Sequence, residues 1–373
     1  MISVTDLLVL SQTPNIGANR LRKLVSHFND TESIFTASAR EVANVEGFSK
    51  KLASVAVHFL KNEGRVRAQR YAEHQLSLLN KVEGCIITYW DKAYPELLKK
   101  IYDPPPFLFM LGDLNENDKY ALAIVGTRQP SDYGKAIAEK FSQEFVRLGI
   151  TVVSGLARGI DTVAHASALK HGGRTIAVIG SGLDVIYPQE NKSLSNRIAE
   201  HGSIISEYEM GAKPDAVNFP RRNRLISGLS LGTLVVETDI NGGAMITANM
   251  ALDQNREVFA VPGAITSKRS HGCHALIREG KAKLVENIDD IIAELSGKLK
   301  PLLRDKGINE QQPLPSLSLF EKSLYDILTE SPQHIDAIAE LLNISTADAL
   351  VNLLSLEFKG LIRQLAGKMF VRI

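Results

Sequence analysis

Three arginines fall within four positions in Asn218-Phe-Pro-Arg-Arg-Asn-Arg224, and Phe219 stands beside them. Arginine presents a planar fork that makes paired hydrogen bonds to phosphate and stacks on bases, and an aromatic ring offers a base a platform. Around this cluster, apolar runs end in glycines: ALAIVGTR with Arg128, ITVVSGLARGID with Arg158, TIAVIGSGLD, IISEY, GTLVVETDINGGA and EVFAVPG. Glycine lets backbone N–H groups approach an anion closely, and a helix starting just after it adds the positive end of its dipole. In an open parallel sheet the ligand sits beyond the carboxyl ends of the strands, so the loops after Val125, Val153, Ile179, Glu207 and Glu237 should converge on one edge. Several such loops beside arginines point to several phosphates in a row, which favours a polymer over a mononucleotide.

Other residue patterns admit other chemistry. Asp161 and His165 in GIDTVAH stand at i and i+4 with Ser154 upstream, a spacing open to a Ser/His/Asp hydrolytic site, although no G-x-S-x-G elbow accompanies it. The plainer expectation is a carboxylate capping its helix and a histidine packed in the first turn. Glu207 and Glu237, read as ending two neighbouring strands, would give a carboxylate pair at the ligand edge, or ion pairs with Arg222 or Arg224. His271, Cys273 and His274 carry metal-ligating atoms, but zinc requires four ligands or three plus water. Adjacent Cys and His rarely reach one ion, so no metal is expected. Cofactor fingerprints fail on spacing: Gly180-Ser-Gly182 lacks its third glycine, because Val185 occupies that place. Seven residues separate Gly126 from Gly134 where a Walker A loop has four. No cofactor and no catalytic residue is expected.

These groups must be held by a frame. The 373 residues are too many for one typical domain, and 44% hydrophobic with 23% charged residues is ordinary for a globular chain. A net charge of +1 excludes a uniformly basic coat, so phosphate affinity must come from a local patch. The start, MISVTDLLVLSQTPN, does not read as a signal peptide, and no apolar stretch approaches the roughly 20 residues that span a bilayer. Cys85 and Cys273 suggest no disulfide framework, which fits a cytoplasmic location.

Residues 1–80 read as helical, with apolar positions such as Leu7, Leu8, Leu21, Leu24, Val25 and Phe28 at helical spacing. Pro14-Asn-Ile-Gly17 and Val45-Glu-Gly-Phe48 resemble the turns of helix-hairpin-helix modules; the alternative is an ordinary bundle with glycine C-caps. Residues 85–112 read as a joining segment, with Pro104, Pro105 and Pro106 leading into an extended Phe107–Leu111. Strands and helices then alternate, giving an α/β, doubly wound, mainly parallel domain over 85–297. Residues 298–318 read as a linker. Residues 319–373 follow the order of a winged helix whose third helix, TADALVNLLSLEF, holds no Lys or Arg before Lys359, so protein contact is expected of it before major-groove reading.

Taken in order, longer strings resemble the DNA-processing protein A family (DprA, also called Smf). They are Ala123-Ile-Val-Gly-Thr-Arg128 with Ser131 and Tyr133-Gly134, then Ser154-Gly-Leu-Ala-Arg-Gly-Ile-Asp161 with Ala164-His165. Next come Gly180-Ser-Gly-Leu-Asp184 with Tyr187-Pro188 and Asn191, then Phe219-Pro220 and Arg222-Asn-Arg224 with Ser227-Gly-Leu-Ser230. Thr247-Ala248 and Glu257-Val-Phe-Ala-Val-Pro-Gly263 complete the set. Asn241-Gly-Gly-Ala244 and Gly272-Cys-His274 depart from the family's usual Ser-Gly-Ser/Ala and Gly-Cys-Asn.

The resemblance implies an extended Rossmann-like sheet, an N-terminal SAM/helix-hairpin-helix-like helical domain and a C-terminal winged-helix domain. It implies a non-enzymatic protein that binds single-stranded DNA and assists loading of the RecA recombinase past single-strand-binding protein in natural transformation. Such proteins form a homodimer through the Rossmann-like domain. By motif position, the implied DNA-binding residues are Gly126, Arg128, Ser154, Gly155, Gly180, Gly182, Phe219, Arg221, Arg222 and Arg224. The rival class is a nucleotide-hydrolysing enzyme of the lysine-decarboxylase-like group. Its PGGxGT…E signature is only partly met by Asp239-Ile-Asn-Gly-Gly-Ala244, which lacks the proline and the trailing threonine.

Overall fold

Strands with no polar position on either face must be covered on both sides. The computed structural model, which describes residues 2–305, 317–329 and 331–372, meets that demand with a nine-stranded sheet sandwiched between helices. Its strands are β1 (Cys85–Thr88), β2 (Phe107–Gly112), β3 (Ala121–Val125), β4 (Thr151–Ser154), β5 (Thr175–Ile179), β6 (Ser203–Ser206), β7 (Gly232–Val235), β8 (Glu257–Ala260) and β9 (Lys283–Leu284). They lie in the order β1-β2-β6-β5-β4-β3-β7-β8-β9, parallel from β6 to β9. The chain therefore winds outward from β3 one way and then, from β7, the other. β3 shows the two-sided burial directly. Ala121, Ala123 and Val125 join one core with Leu225, Ala248 and Leu276, while Leu122 and Ile124 join the other with Phe141, Phe145 and Ile160.

The segment 85–112 does more than join. β2 pairs antiparallel with β6 and β1 antiparallel with β2, so both extend the sheet. Short antiparallel edge strands carry no helix-alternation signal, and that conceals them in the sequence. Between them Tyr94 is buried, its hydroxyl donating to the Pro105 carbonyl at 2.8 Å.

The leading helices pack onto the same unit, which clusters as residues 1–306. Two helix–turn–helix pairs, Val4–Ser11 with Ala18–Phe28 and Ala39–Ala43 with Lys50–Lys61, have left-handed turn residues at Asn15 (φ 62) and Gly47 (φ 87). Arg20 ties the two turns together, donating to the carbonyls of Asn15 at 2.8 Å and Gly47 at 3.1 Å. The long helix Glu63–Lys81 then grips the loop after β6. The Gln75 amide accepts from Met210 N–H at 2.8 Å and donates to its carbonyl at 3.3 Å, and the Tyr71 hydroxyl donates to Glu209.

At the other end of the unit, the run read as a linker from 298 continues a helix, Ile288–Asp305. Leu299, Leu302 and Leu303 are buried against the core of Phe141 and Phe145, an apolar face that the surrounding polar residues disguise. Residues 306–316, the rest of that run, lie outside the described residues.

The second unit has its own core of Leu324, Ile338, Leu353, Leu356, Ile362 and Phe370. Helices Leu319–Ile327, Ile335–Leu342 and Thr346–Phe358 pack with β10 (Gln333–His334), β11 (Ile362–Leu365) and β12 (Met369–Arg372) in the order β10-β12-β11. The sequence indicates only the final hairpin, and two-residue β10 is the strand it hides. Among the described residues, no single helix is long and apolar enough to cross a membrane.

Two glycines with the same left-handed backbone should respond differently to alanine. At Gly112 (φ +80) a Cβ would meet the carbonyl oxygens of Gly202 at 2.2 Å and Ala199 at 2.5 Å, whereas at Gly211 (φ +82) it would meet nothing within 4 Å. Thermal melts should show Gly211→Ala losing only the conformational cost of ~1 kcal/mol. Gly112→Ala should lose several times that, and equal losses would contradict the close packing of β2 on the helix before β6.

Candidate nucleic-acid interface

The strand order reverses between β3 and β7, and a crevice opens there because the flanking connections leave on opposite faces of the sheet. A cavity of about 720 Å³ fills that crevice, lined by the Gly126-Thr-Arg128 loop after β3 and the Thr238–Gly243 loop after β7. Further walls come from Asp161, Tyr187, the cavity-facing residues of Pro214–Ile226, and Ala244 and Thr247. Two helices of eleven residues each, Asn218–Gly228 and Gly243–Asp253, begin at its wall. The second follows Gly242 with no side-chain cap, and Met245 N–H bonds the Gly242 carbonyl at 3.0 Å, so the Gly243 and Ala244 N–H groups are the ones that favour an anion.

Helical geometry divides the arginine cluster. On the helix Asn218–Gly228, Phe219, Arg222, Asn223 and Ile226 recur at the spacing of one face and line the cavity. Arg221 is exposed and outside that lining. Arg224 turns to the far side and pairs with Glu207, and burial of this pair's surroundings raises the Glu207 carboxyl against the pull of Arg224. Adjacent in sequence, these arginines serve three different surfaces. In this structure Arg224 is thus held in an ion pair with Glu207. Arg128, exposed, comes from the opposite wall, with its guanidinium 5.6 Å from the centre of the Phe219 ring. Tyr187 packs on Phe219 at 5.8 Å, a contact that nothing in the sequence pattern announced.

Arg222 is only 3% exposed. Its Nη1 donates to the Gly155 carbonyl at 2.6 Å and to the Val178 carbonyl, bridging the ends of β4 and β5, while Nε is buried without a partner. Burial pushes its pKa down to about 10, with Asp161 pulling the other way, so the group stays charged at neutral pH. Asp161 in turn accepts from the N–H groups of Gly155 at 3.1 Å and Ala157 at 3.3 Å. Its carboxyl is raised by burial and lowered by Arg222. Gly155 is required here, since a Cβ would lie 2.3 Å from Arg222 Nη1. His165 is wholly buried, with Nδ1 2.7 Å from the Thr175 hydroxyl, and burial pushes its pKa down to about 3. It is a neutral core residue rather than a base facing the cavity.

The remaining candidates divide the same way. Gly126 follows β3 at the cavity wall, where a Cβ would strike Ile160 at 2.6 Å. Ser154 is fully buried and its hydroxyl donates to the Ile124 carbonyl at 2.6 Å, so it stitches β4 to β3. Gly180 lies under Phe219, with its carbonyl accepting from the Asn218 amide at 3.2 Å. Gly182 spends its N–H on the Ala212 carbonyl at 2.9 Å and packs against residues 209–211, away from the cavity lining. Arg158 forms a two-pronged pair with Glu190 at 2.9 and 3.0 Å.

Glu207 and Glu237 do not end neighbouring strands, because β5, β4 and β3 separate β6 from β7. Glu237 instead accepts from the Ser131 N–H at 2.9 Å and hydroxyl at 2.5 Å, fixing the loop that carries Arg128. The Cys273 thiol is buried near the Val235 and Val236 carbonyls and pushed up to about 12, while His274 Nε2 contacts Gly263. The helix start at Gly242-Gly243-Ala244 is the site element that sequence reading undervalued. A glycine pair in the loop after a buried strand was its signal.

Residues 85–296 match the family model described as DNA recombination-mediator protein A, and residues 309–368 match the DprA winged helix domain. The chain is 36% identical over 396 residues to Protein Smf of Synechocystis sp., covering 98% of each. It is 46% identical over 205 residues to the DNA processing protein DprA of Bacillus subtilis, covering 55% of this chain and 69% of that one. The X-ray structure of DNA processing protein A from Streptococcus pneumoniae superposes with a TM-score of 0.66 at 33% identity, over 79% of this chain and 99% of that one. The Helicobacter pylori protein, solved for insight into its single-stranded DNA binding mode, gives 0.53 at 31% identity, over 58% and 97%.

The buried, neutral His165 makes stability depend on pH. The unfolded chain takes up a proton near pH 6.5 while the folded one resists until about 3. The stability held at neutral pH is therefore lost progressively as pH falls through that window. The difference in unfolding free energy between the parent and His165→Gln should shrink on acidification by up to about 1.4 kcal/mol per pH unit. Asp161 and Glu207, raised in the fold, shift stability the opposite way but are common to both proteins. A difference independent of pH would place His165 in water.

Proposed function

The chain belongs to the DNA-processing protein A (DprA/Smf) family, and from that premise we propose that it binds single-stranded DNA at the β3/β7 edge and assists loading of RecA onto it. The observation that carries this reading is the pairing of Arg128 with Phe219 across the cavity mouth, above the buried Arg222 and the uncapped start of Gly243–Asp253. Cations and N–H dipoles hold phosphates, while Phe219 and Tyr187 offer ring faces to bases of any identity. The set makes no demand on base edges, so little sequence preference is expected.

The protein acts as a mediator without turnover. Burial raises the Asp161 carboxyl in the cavity wall, yet its oxygen is occupied by two N–H groups and it faces Arg222, which suits a structural role better than a general acid. Incubation with nucleoside monophosphates, watching for free base, tests the rival hydrolytic reading. The expected setting is the cytoplasm, in recombination or natural transformation, with a homodimer through the Rossmann-like domain and single-strand-binding protein as the competitor on DNA. The winged helix is assigned to a protein partner: Val351, Leu354 and Phe358 are exposed along its third helix, at 67%, 37% and 91%, where a DNA reader would carry polar and basic groups.

Arg128→Ala should weaken binding to an oligothymidine strand and reduce the slope of log affinity against log salt by about 0.7, the share of one phosphate contact on a single strand. The same variant should lose its stimulation of RecA strand exchange on DNA coated with single-strand-binding protein. Arg224→Ala should lower the melting temperature while leaving affinity per folded molecule nearly intact. An unchanged salt slope in Arg128→Ala would misplace the site.

Removing residues 307–373 should leave single-strand affinity within about tenfold, or ~1.4 kcal/mol, of the full chain. A larger loss in a gel shift would make the winged helix a DNA site.

A further inference from the structure

Among the described residues Arg128 makes no ion pair, whereas Arg158 and Arg224 are held by Glu190 and Glu207. It stands on the loop 126–131, between β3 and the helix Asp132–Leu148, and no residue of that loop is buried. A loop without a core of its own takes its path from hydrogen bonds. Glu237 grips this one at both ends. Its backbone carbonyl accepts from the Thr127 N–H at 2.6 Å, one residue before Arg128. Its carboxylate accepts from the Ser131 N–H at 2.9 Å and hydroxyl at 2.5 Å, three residues after. In between, Arg269 Nε donates to the Gln129 carbonyl at 2.8 Å, a single tie from an exposed side chain.

Glu237 itself is 3% exposed and lies outside the lining of the cavity at the strand reversal. The fold makes space for its carboxylate at Gly134, where a Cβ would lie 2.3 Å from Glu237 Oε2. An acidic side chain buried near a site for a polyanion gains nothing from the phosphates, so any favourable effect on binding must pass through the loop it holds.

We propose that Glu237 is a positioning residue for single-strand binding. By gripping Thr127 and Ser131 it presets the Arg128 guanidinium over the Phe219 ring, 5.6 Å from its centre, and the strand meets a cation already in place. An arginine on a loose loop gives up backbone and side-chain freedom when it binds, and fixing the loop beforehand removes that cost. This rests on the single-strand reading above and adds the group that makes its exposed arginine effective.

The test is a double-mutant cycle on the full-length protein, with affinity for an oligothymidine read by fluorescence anisotropy at several salt concentrations. Removing an acidic side chain near the site should by charge alone tighten binding to a polyanion. Glu237→Ala should do the opposite, weakening binding about fivefold and flattening the salt slope by up to the ~0.7 of one phosphate contact. Added to Arg128→Ala it should cost less than about a further twofold, because both changes remove the same contact. A merely structural role would lower the melting temperature and leave the salt slope of the folded protein unmoved. Gly134→Ala pushes the carboxylate off Ser131 without altering any charge, and it should repeat the fivefold loss even where Glu237→Ala fails to fold. Parent-like or tighter binding by either folded variant overturns the proposal, as do losses that multiply in the double variant. If Arg128→Ala itself binds like the parent, the single-strand reading at this edge falls as well. Weak binding by Arg128→Ala beside normal binding by Glu237→Ala sinks the positioning role alone.

Discussion

The structure turns on a buried guanidinium. Arg222 enters the sheet edge from its helix and fastens the Gly155 carbonyl, after β4, to the Val178 carbonyl in β5, while Asp161 holds the amides of the same loop. Neither charge is tolerable alone at such depth. An unpartnered buried ion costs several kcal/mol, so the two must be installed together with their backbone partners. Loop, helix and strand ends are thereby locked in one arrangement, and Phe219, three residues before Arg222, is set over the cavity as a result.

Much of this frame was legible in the sequence. Two-sided apolar strands such as Leu122–Val125 and Gly232–Val235 can only be central, and the glycines after them mark where loops must pass close to other backbone. The sheet's outer edge was not legible. β1 and β2 run antiparallel with prolines between them, and the pairing of β2 with β6 is a long-range choice that no local pattern encodes.

At the site, residue types were readable and their facing was not. Arg221, Arg222 and Arg224 look like one cluster along the chain, but helical rotation sends them to solvent, to the cavity and to Glu207. Glu207 and Glu237 look adjacent because strands were counted in chain order, whereas the reversal after β6 puts three strands between them. Ser154 and Gly182 sit in the right motifs yet spend their polar groups inside the fold. Spacing tells which loops meet; only packing tells which atoms remain free.

The contact between Gln75 and Met210 bears on how such a chain can evolve. The amide of a buried glutamine satisfies both backbone groups of a loop residue in another layer, and the Tyr71 hydroxyl reaches the neighbouring Glu209. The same loop forms the wall behind Gly182. Where such a helical layer is absent, the Met210 peptide group would meet water instead of an amide, and the 207–212 turn would lose the side chains that fix its conformation.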